Sequence, residues 1–363
     1  MWHHGRKRRQ SGNRLSANRP AAGRVETLET RRLLSASASL AATGVLNVVG
    51  TTGNDTIEIA QSGGNVGVSL NGSLLNVTRG RKSLGTSVNT TANPIKRISV
   101  QGLAGNDAII YDASVTIPGA IVDGNGSDQI TSPGTANLTV RAGGGDDIVT
   151  LGDGNYLVAL GDGNDQVTVG NGNSMIGTNA RTGDDNVDNF TVGNGNNTVT
   201  YHGGIDNVIL GTGNDSIKAS GDAVSGITVS GGSGADFIDN PYSGNIDLVG
   251  SSGNDVVRIG GSTVLDLGSG NDLALAEGKA NFDYITGGSG SDIIVALQGN
   301  DTIDGTAGNG DVLISRRSTN TVSGSSTSTI YGPATLGGNN AATYVPVTPK
   351  NIQRKLAAWE AET

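Results

Sequence analysis

Aspartate recurs along this chain in one setting, at the end of a six-residue turn whose second and fourth residues are glycine. The pairs are Gly124 and Gly126 before Asp128, Gly143 and Gly145 before Asp147, Gly161 and Gly163 before Asp165, and Gly211 and Gly213 before Asp215. The same pattern gives Gly232 and Gly234 before Asp236, Gly268 and Gly270 before Asp272, and Gly288 and Gly290 before Asp292. Related turns with fewer of these glycines end at Asp55, Asp107, Asp185, Asp206, Asp255 and Asp301. Carboxylates beside glycine-rich backbone suit one chemistry in particular. Calcium takes six to eight oxygen ligands at about 2.3–2.6 Å from carboxylates and backbone carbonyls. Glycine lets the turn enter left-handed conformations and aim its carbonyls at a common point, and aspartate supplies the charge. The residues expected to bind several calcium ions are therefore these glycine pairs with Asp107, Asp128, Asp147, Asp165, Asp185, Asp215, Asp236, Asp255, Asp272 and Asp292.

Such turns need elements that stack them. An aliphatic residue follows most of the aspartates two positions later, as Ile57, Ile109, Ile130, Val149, Val167, Ile217, Ile238, Val257 and Ile294. Each unit thus reads as a turn and then a short strand with one inward side chain. Spacing is regular: the steps from Asp107 through Asp128, Asp147, Asp165 and Asp185 are 21, 19, 18 and 20 residues, and those from Asp215 through Asp236, Asp255, Asp272 and Asp292 are 21, 19, 17 and 20. This predicts a coil of two strands and two turns, with about 18–21 residues per coil. Neighbouring strands lie about 4.8 Å apart, so an ion between two turns could take oxygens from both.

The gap from Asp185 to Asp215 is 30 residues, about three half-coils, and Asp206 and Asp215 are nine apart. The acidic turn is therefore expected to change sides between Tyr201 and Asp215. Opposite the acidic turns, Gly-Asn turns end at Tyr156, Ser174 and Asn197. Glycine, asparagine and aspartate also favour turns for their own sake, and for these Asn-rich turns a metal-free ladder is the expectation.

Gly231-Gly232-Ser233-Gly234-Ala235-Asp236-Phe237-Ile238 and Gly287-Gly288-Ser289-Gly290-Ser291-Asp292-Ile293-Ile294 resemble the G-G-x-G-x-D-x-U-x nonapeptide of RTX, or haemolysin-type, calcium-binding repeats. The resemblance spans roughly residues 102–313. It implies an all-β, right-handed parallel β-roll or β-helix solenoid held by calcium, and secretion.

Composition agrees with a thin core. The 363 residues include 59 Gly, 3% aromatic residues and no Cys. The missing cysteine removes disulfides, zinc sites and thiol catalysis. No run of 18 or more apolar residues occurs, so no membrane-spanning helix is expected. The net charge of −9 divides unevenly: residues 1–36 hold nine Lys/Arg against Glu26 and Glu29, leaving −16 for the rest. An acidic body argues against nucleic acid, which needs a basic surface.

Four regions follow. Residues 1–44 form a basic, Ser/Ala-rich segment expected to be disordered. Within it, Val25-Glu26-Thr27-Leu28-Glu29-Thr30-Arg31-Arg32-Leu33-Leu34-Ser35-Ala36 resembles the LEPR-x-LL-S-A N-terminal element of large planctomycete surface and exported proteins, with Thr30 in place of the usual Pro. That resemblance implies export or surface attachment. Residues 45–101 start the solenoid and carry a hairpin excursion, because Val66, Val68 and Leu70 alternate and then Leu75 and Val77 follow around Asn71-Gly72, a strong hairpin signal. Residues 102–315 are the repeat body. Residues 316–363 read as a Ser/Thr/Gly-rich cap and tail, with a short helix expected over residues 350–360.

Catalytic signals are sparse. His202 is the only histidine of the repeat region, and Trp359 sits in the tail. Paired acids such as Asp146-Asp147 and Asp184-Asp185 could serve glycoside chemistry, but recurrence at every coil favours a repeated ligand role. The sequence thus points to a calcium-binding extracellular or cell-surface protein, structural or adhesive and not an enzyme, whose partners are calcium and surface polysaccharide or other surface proteins. The alternatives are a polysaccharide-acting β-helix lyase or epimerase, or a calcium-loaded module of a larger secreted system.

Overall fold

The computed structural model describes residues 35–178, 186–203, 205–219, 226–241, 245–249, 251–278, 282–317, 319–332, 335–336 and 343–345. The basic leader, Asp184, Asp185 and the expected C-terminal helix lie outside these residues. Within them the chain is all-β, a parallel solenoid of about 19 residues per turn with antiparallel pairs at its N-terminal end. No helix among the described residues is long and apolar enough to cross a membrane.

Two sheets of 18 and 17 strands run the length of the solenoid. Sheet I includes Arg97–Gln101, Gly119–Val122, Leu138–Arg141, Leu157–Ala159, Met175–Gly177, Thr198–Tyr201 and Ser216–Ala219, each parallel to the next. Sheet II includes Ala108–Tyr111, Gln129–Ser132, Ile148–Leu151, Gln166–Val169, Asn189–Val192 and Ile205–Ile209, again parallel in order. The chain alternates between the sheets, so each coil has one turn leading into sheet II and another leading into sheet I.

A narrow core follows from the period-two pattern of short strands. In sheet II, Ile57, Ile109, Ile130, Val149 and Val167 stand in register, followed by Phe190 and Val208. In sheet I, Val140, Val158, Ile176, Val199, Ile217, Ile238, Val257, Ala274, Ile294 and Leu313 do the same. All are buried. The aliphatic residues picked out by spacing are therefore rungs of these two inward ladders.

The N-terminal end is more elaborate than one hairpin. Thr56–Ser62 pairs antiparallel with Asn65–Leu70, which returns through Asn71-Gly72 to Ser73–Leu74. Asn71 and Gly72 both have positive φ, 50° and 75°, as a two-residue hairpin turn requires. Residues 37–40, placed by the sequence within the leader, form part of the sheet. Ser37–Leu40 is a strand antiparallel to Val45–Val49, because Ala38 and Leu40 alternate inward and are buried. The other boundary also moves. Thr321–Gly324, Thr329–Tyr331 and Thr343–Val345 extend the parallel ladders beyond residue 315, with Val322 and Ile330 continuing the core.

Candidate metal columns

Side-chain ladders line both turn columns. On the turn leading into sheet II, the Asp55 N–H donates to Asp107 Oδ1 (2.8 Å), Asp107 N–H to Asp128 (2.8 Å), Asp128 to Asp147 (2.9 Å) and Asp147 to Asp165 (2.9 Å). The column continues from Asp165 to Asp188 (2.8 Å) and from Asp188 to Asp206 (3.0 Å). On the turn leading into sheet I, Asn197 N–H donates to Asp215 Oδ1 (2.7 Å), and the chain of contacts runs through Asp236, Asp255, Asp272, Asp292 and Asp311 at 2.8–3.0 Å. The acidic turn does change sides, between Asp206 in sheet II and Asp215 ahead of sheet I. It then returns: Asp283 N–H donates to Asp301 (3.3 Å) and Asp301 N–H to Asn320 (3.0 Å), back on the sheet II side.

Several members of these columns escaped the sequence pattern. Asp185 lies outside the described residues, and Asp188 holds the rung between Asp165 and Asp206. Asp188 has neither glycine of the pattern, at two or at four residues before it. The step across this coil is 23 residues, not the usual 18 or so. Asp283 lacks both glycines and Asp311 has them displaced by one position. The usable signal for them was distance: Asp283, Asp292 and Asp301 are nine apart, one half-coil each.

Glycine serves two separate ends in the turns. At Gly234 the backbone is left-handed, φ 138°, as anticipated. At Gly161 and Gly232 it is not; there a Cβ would overlap the carbonyl oxygen of Gly143 or Gly211 in the preceding coil. At these two glycines close approach of stacked backbones, not left-handedness, excludes a side chain.

Each ladder uses one carboxylate oxygen. The second oxygen, Oδ2, of Asp107, Asp128, Asp147, Asp165, Asp206, Asp215, Asp236, Asp272 and Asp292 is buried without a hydrogen-bond partner. A buried acceptor in that state is costly. Burial, partly offset by the backbone donor, pushes Asp165 up to about 8, Asp147 and Asp272 to about 7, and Asp236 and Asp292 to about 6. Burial likewise raises Asp107, Asp128 and Asp215.

Asn197 reveals what Oδ2 faces. It occupies the same place in its turn, one coil before Asp215, and its Nδ2 donates to the carbonyls of Gly193 (3.1 Å) and Gly195 (3.0 Å). Gly195 has φ 128°, close to Gly163 at 131° and Gly213 at 134° in Asp turns. The same backbone thus presents carbonyls to an amide in one turn and to a carboxylate in the next. An amide satisfies them by donating; a carboxylate in the same place has no hydrogen to donate. That donor set of carbonyls and a carboxylate fits a hard cation such as calcium.

Neutral donors occupy this position elsewhere. Asp55 Oδ2 accepts from the Thr51 hydroxyl (2.9 Å), Asp301 Oδ2 from Asn320 Nδ2 (3.2 Å) and Asp311 Oδ2 from the Ser328 hydroxyl (3.1 Å). Ser251, in place of the first glycine, does the same for Asp255. The Gly-Asn turns form amide ladders, with Asn173 N–H donating to Asn155 (2.8 Å) and Asn196 to Asn173 (2.8 Å).

Residues 277–312 match the sequence profile of the RTX calcium-binding nonapeptide repeat, which comprises four copies. This is the stretch in which both columns carry aspartate, at Asp283, Asp292, Asp301 and Asp311. No curated protein and no solved structure matches the chain.

Proposed function

We propose that this chain is a calcium-stabilised structural protein of the cell surface or extracellular space, without a reaction centre, in which ions in the two acidic columns tie neighbouring coils together. The observation that carries this reading is the repeated buried Oδ2 without a partner, set against Asn197, whose amide supplies what those carboxylates lack. The RTX match supports calcium as the cation. Repetition supports a structural role: the same carboxylate recurs on coil after coil, whereas a reaction centre is built once.

Physical chemistry also favours an outside location. Extracellular calcium modules work at about 10⁻⁴–10⁻³ M, so columns of that affinity fill outside the cell and stay largely empty in the cytosol. The Leu33-Leu34-Ser35-Ala36 region, with its resemblance to an export element, supports the same direction, and surface polysaccharide or other surface proteins are the partners we assign. The test is calorimetric titration of the full chain with calcium after chelator treatment, followed by circular dichroism. Several bound ions and a calcium-dependent gain in β-structure are expected. A chain that binds no calcium, and whose spectrum ignores chelator, would overturn the proposal.

A further inference from the structure

The six-residue turn begins with a residue that has no side-chain oxygen in almost every coil: Gly50, Gly102, Ala142, Leu160, Leu210, Gly231, Leu267 and Gly287. Asp123 is the one carboxylate at this place among the described turns. It opens the turn that ends at Asp128, and its side chain turns inward: Asp123 is 7% exposed, while Asp107 and Asp128 are each 2% exposed. Carboxylate oxygens of the three residues lie within 4.8 Å of one another. The space they share is kept open by Gly102, where a Cβ would overlap Asp123 Oδ1 and come within 2.6 Å of Asp107 Oδ2.

Little neutralises this cluster. Asp123 Oδ1 accepts one long hydrogen bond from the Gly124 N–H (3.2 Å), and Asp107 and Asp128 each use Oδ1 on the ladder. The Oδ2 atoms of all three are buried and without a partner. Burial first, then the charges of Asp128 and Asp107, push Asp123 up to about 8. Three such oxygens, side by side, must share either protons or a cation, and oxygens within 4.8 Å suit an ion with contacts of about 2.3–2.6 Å.

We propose that Asp107, Asp123 and Asp128 form a three-carboxylate calcium site between adjacent coils, tighter than the other turns among the described residues and the first of them to fill. Calcium affinity rises with the number of charged ligands, and this site has one carboxylate more than the turns beside it. It lies one rung beyond Asp55, so the first ion ties together the first two acidic turns of the repeat body. The inference rests on calcium occupying the acidic columns, but assigns a specific order of filling to them.

Competition titration of the full chain against a chromophoric calcium chelator tests it, using wild type, Asp123→Gly and Asp123→Asn. Asp123→Gly supplies the residue found at this place in the preceding turn, Gly102, and Asp123→Asn keeps the side-chain shape if the glycine variant folds poorly. Circular dichroism at saturating calcium checks that each is folded. The expected result is a tightest step weakened at least tenfold in both variants, with the later steps unchanged. A tightest step that stays put in both variants overturns this site while leaving calcium in the columns intact. Absence of calcium binding in all three proteins overturns both.

Discussion

Asn197 and Asp215 occupy successive rungs of one column, one coil apart, on turns of nearly the same backbone. They differ in one terminal atom. At Asn197 the nitrogen donates to two glycine carbonyls and the turn is closed with neutral groups. At Asp215 an oxygen stands in that place, buried and without a partner. The Asn197 turn is thus complete by itself, whereas turns such as that of Asp215 carry a carboxylate oxygen that needs a proton or a cation. Repeat architecture makes this division possible, since each coil contacts only its neighbours and stability sums over local terms.

Removing calcium should separate the regions most. One ion at 100 times its dissociation constant adds about 2.7 kcal/mol, so several ions correspond to a melting shift of at least about 10 °C. Scanning calorimetry with and without chelator at pH 8 measures it; an unchanged melting point would erase the distinction between the two kinds of turn. The effect should fade in acid. Folded, metal-free Asp165 and Asp147 are pushed up to about 8 and 7, against about 3.9 in an unfolded chain. Between those values the folded state holds more protons, so metal-free stability falls as pH rises from about 4 to about 8. Melts of the chelated protein at pH 5 and pH 8 should show the higher transition at pH 5, and calcium binding at neutral pH should release protons.

Glycine substitution should not discriminate between the regions. An alanine Cβ at Gly195 or Gly234 would overlap the carbonyl of Gly172 or Gly213, on a left-handed backbone in both cases. Gly195→Ala and Gly234→Ala should each destabilise by roughly 2 kcal/mol or more, with or without calcium, as urea unfolding would register. A calcium-dependent difference between them would mean that these glycines serve the ion and not the stack.

Single-atom exchanges come next. Asp165→Asn should supply a donor to its turn, raising metal-free stability by about 1–3 kcal/mol while removing at least one calcium from the calorimetric count. The reverse change, Asn197→Asp, should cost the metal-free protein about 1–2 kcal/mol and make its melting point more sensitive to calcium. If Asn197→Asp proves neutral under both conditions, the carbonyls of Gly193 and Gly195 are not what the second side-chain atom is there to satisfy.

Much of this was legible from the chain alone. The aliphatic residue two places after aspartate marked the inward rungs, because a strand of four residues buries alternate positions and leaves little choice of register. The change of side at Asp206 and Asp215 was legible too, since nine residues are a half-coil. Glycine pairing was a poorer guide. It passed over Asp188, Asp283 and Asp311, because column membership depends on which residue the backbone brings into line with the coil below. At Asp123 a carboxylate at the opening of a turn is visible in the sequence, but not that it points inward.

Composition and period by themselves determined that this chain winds into stacked two-strand coils: with few large side chains and glycine at fixed intervals, no broader core could form. Tertiary structure alone decided which aspartates align, which second oxygens find a neutral donor such as Thr51, Ser251, Asn320 or Ser328, and which are left facing carbonyls. The reason is distance along the chain. A rung is completed by a residue about 19 positions away, and insertions that leave every local motif intact still change which residue that is.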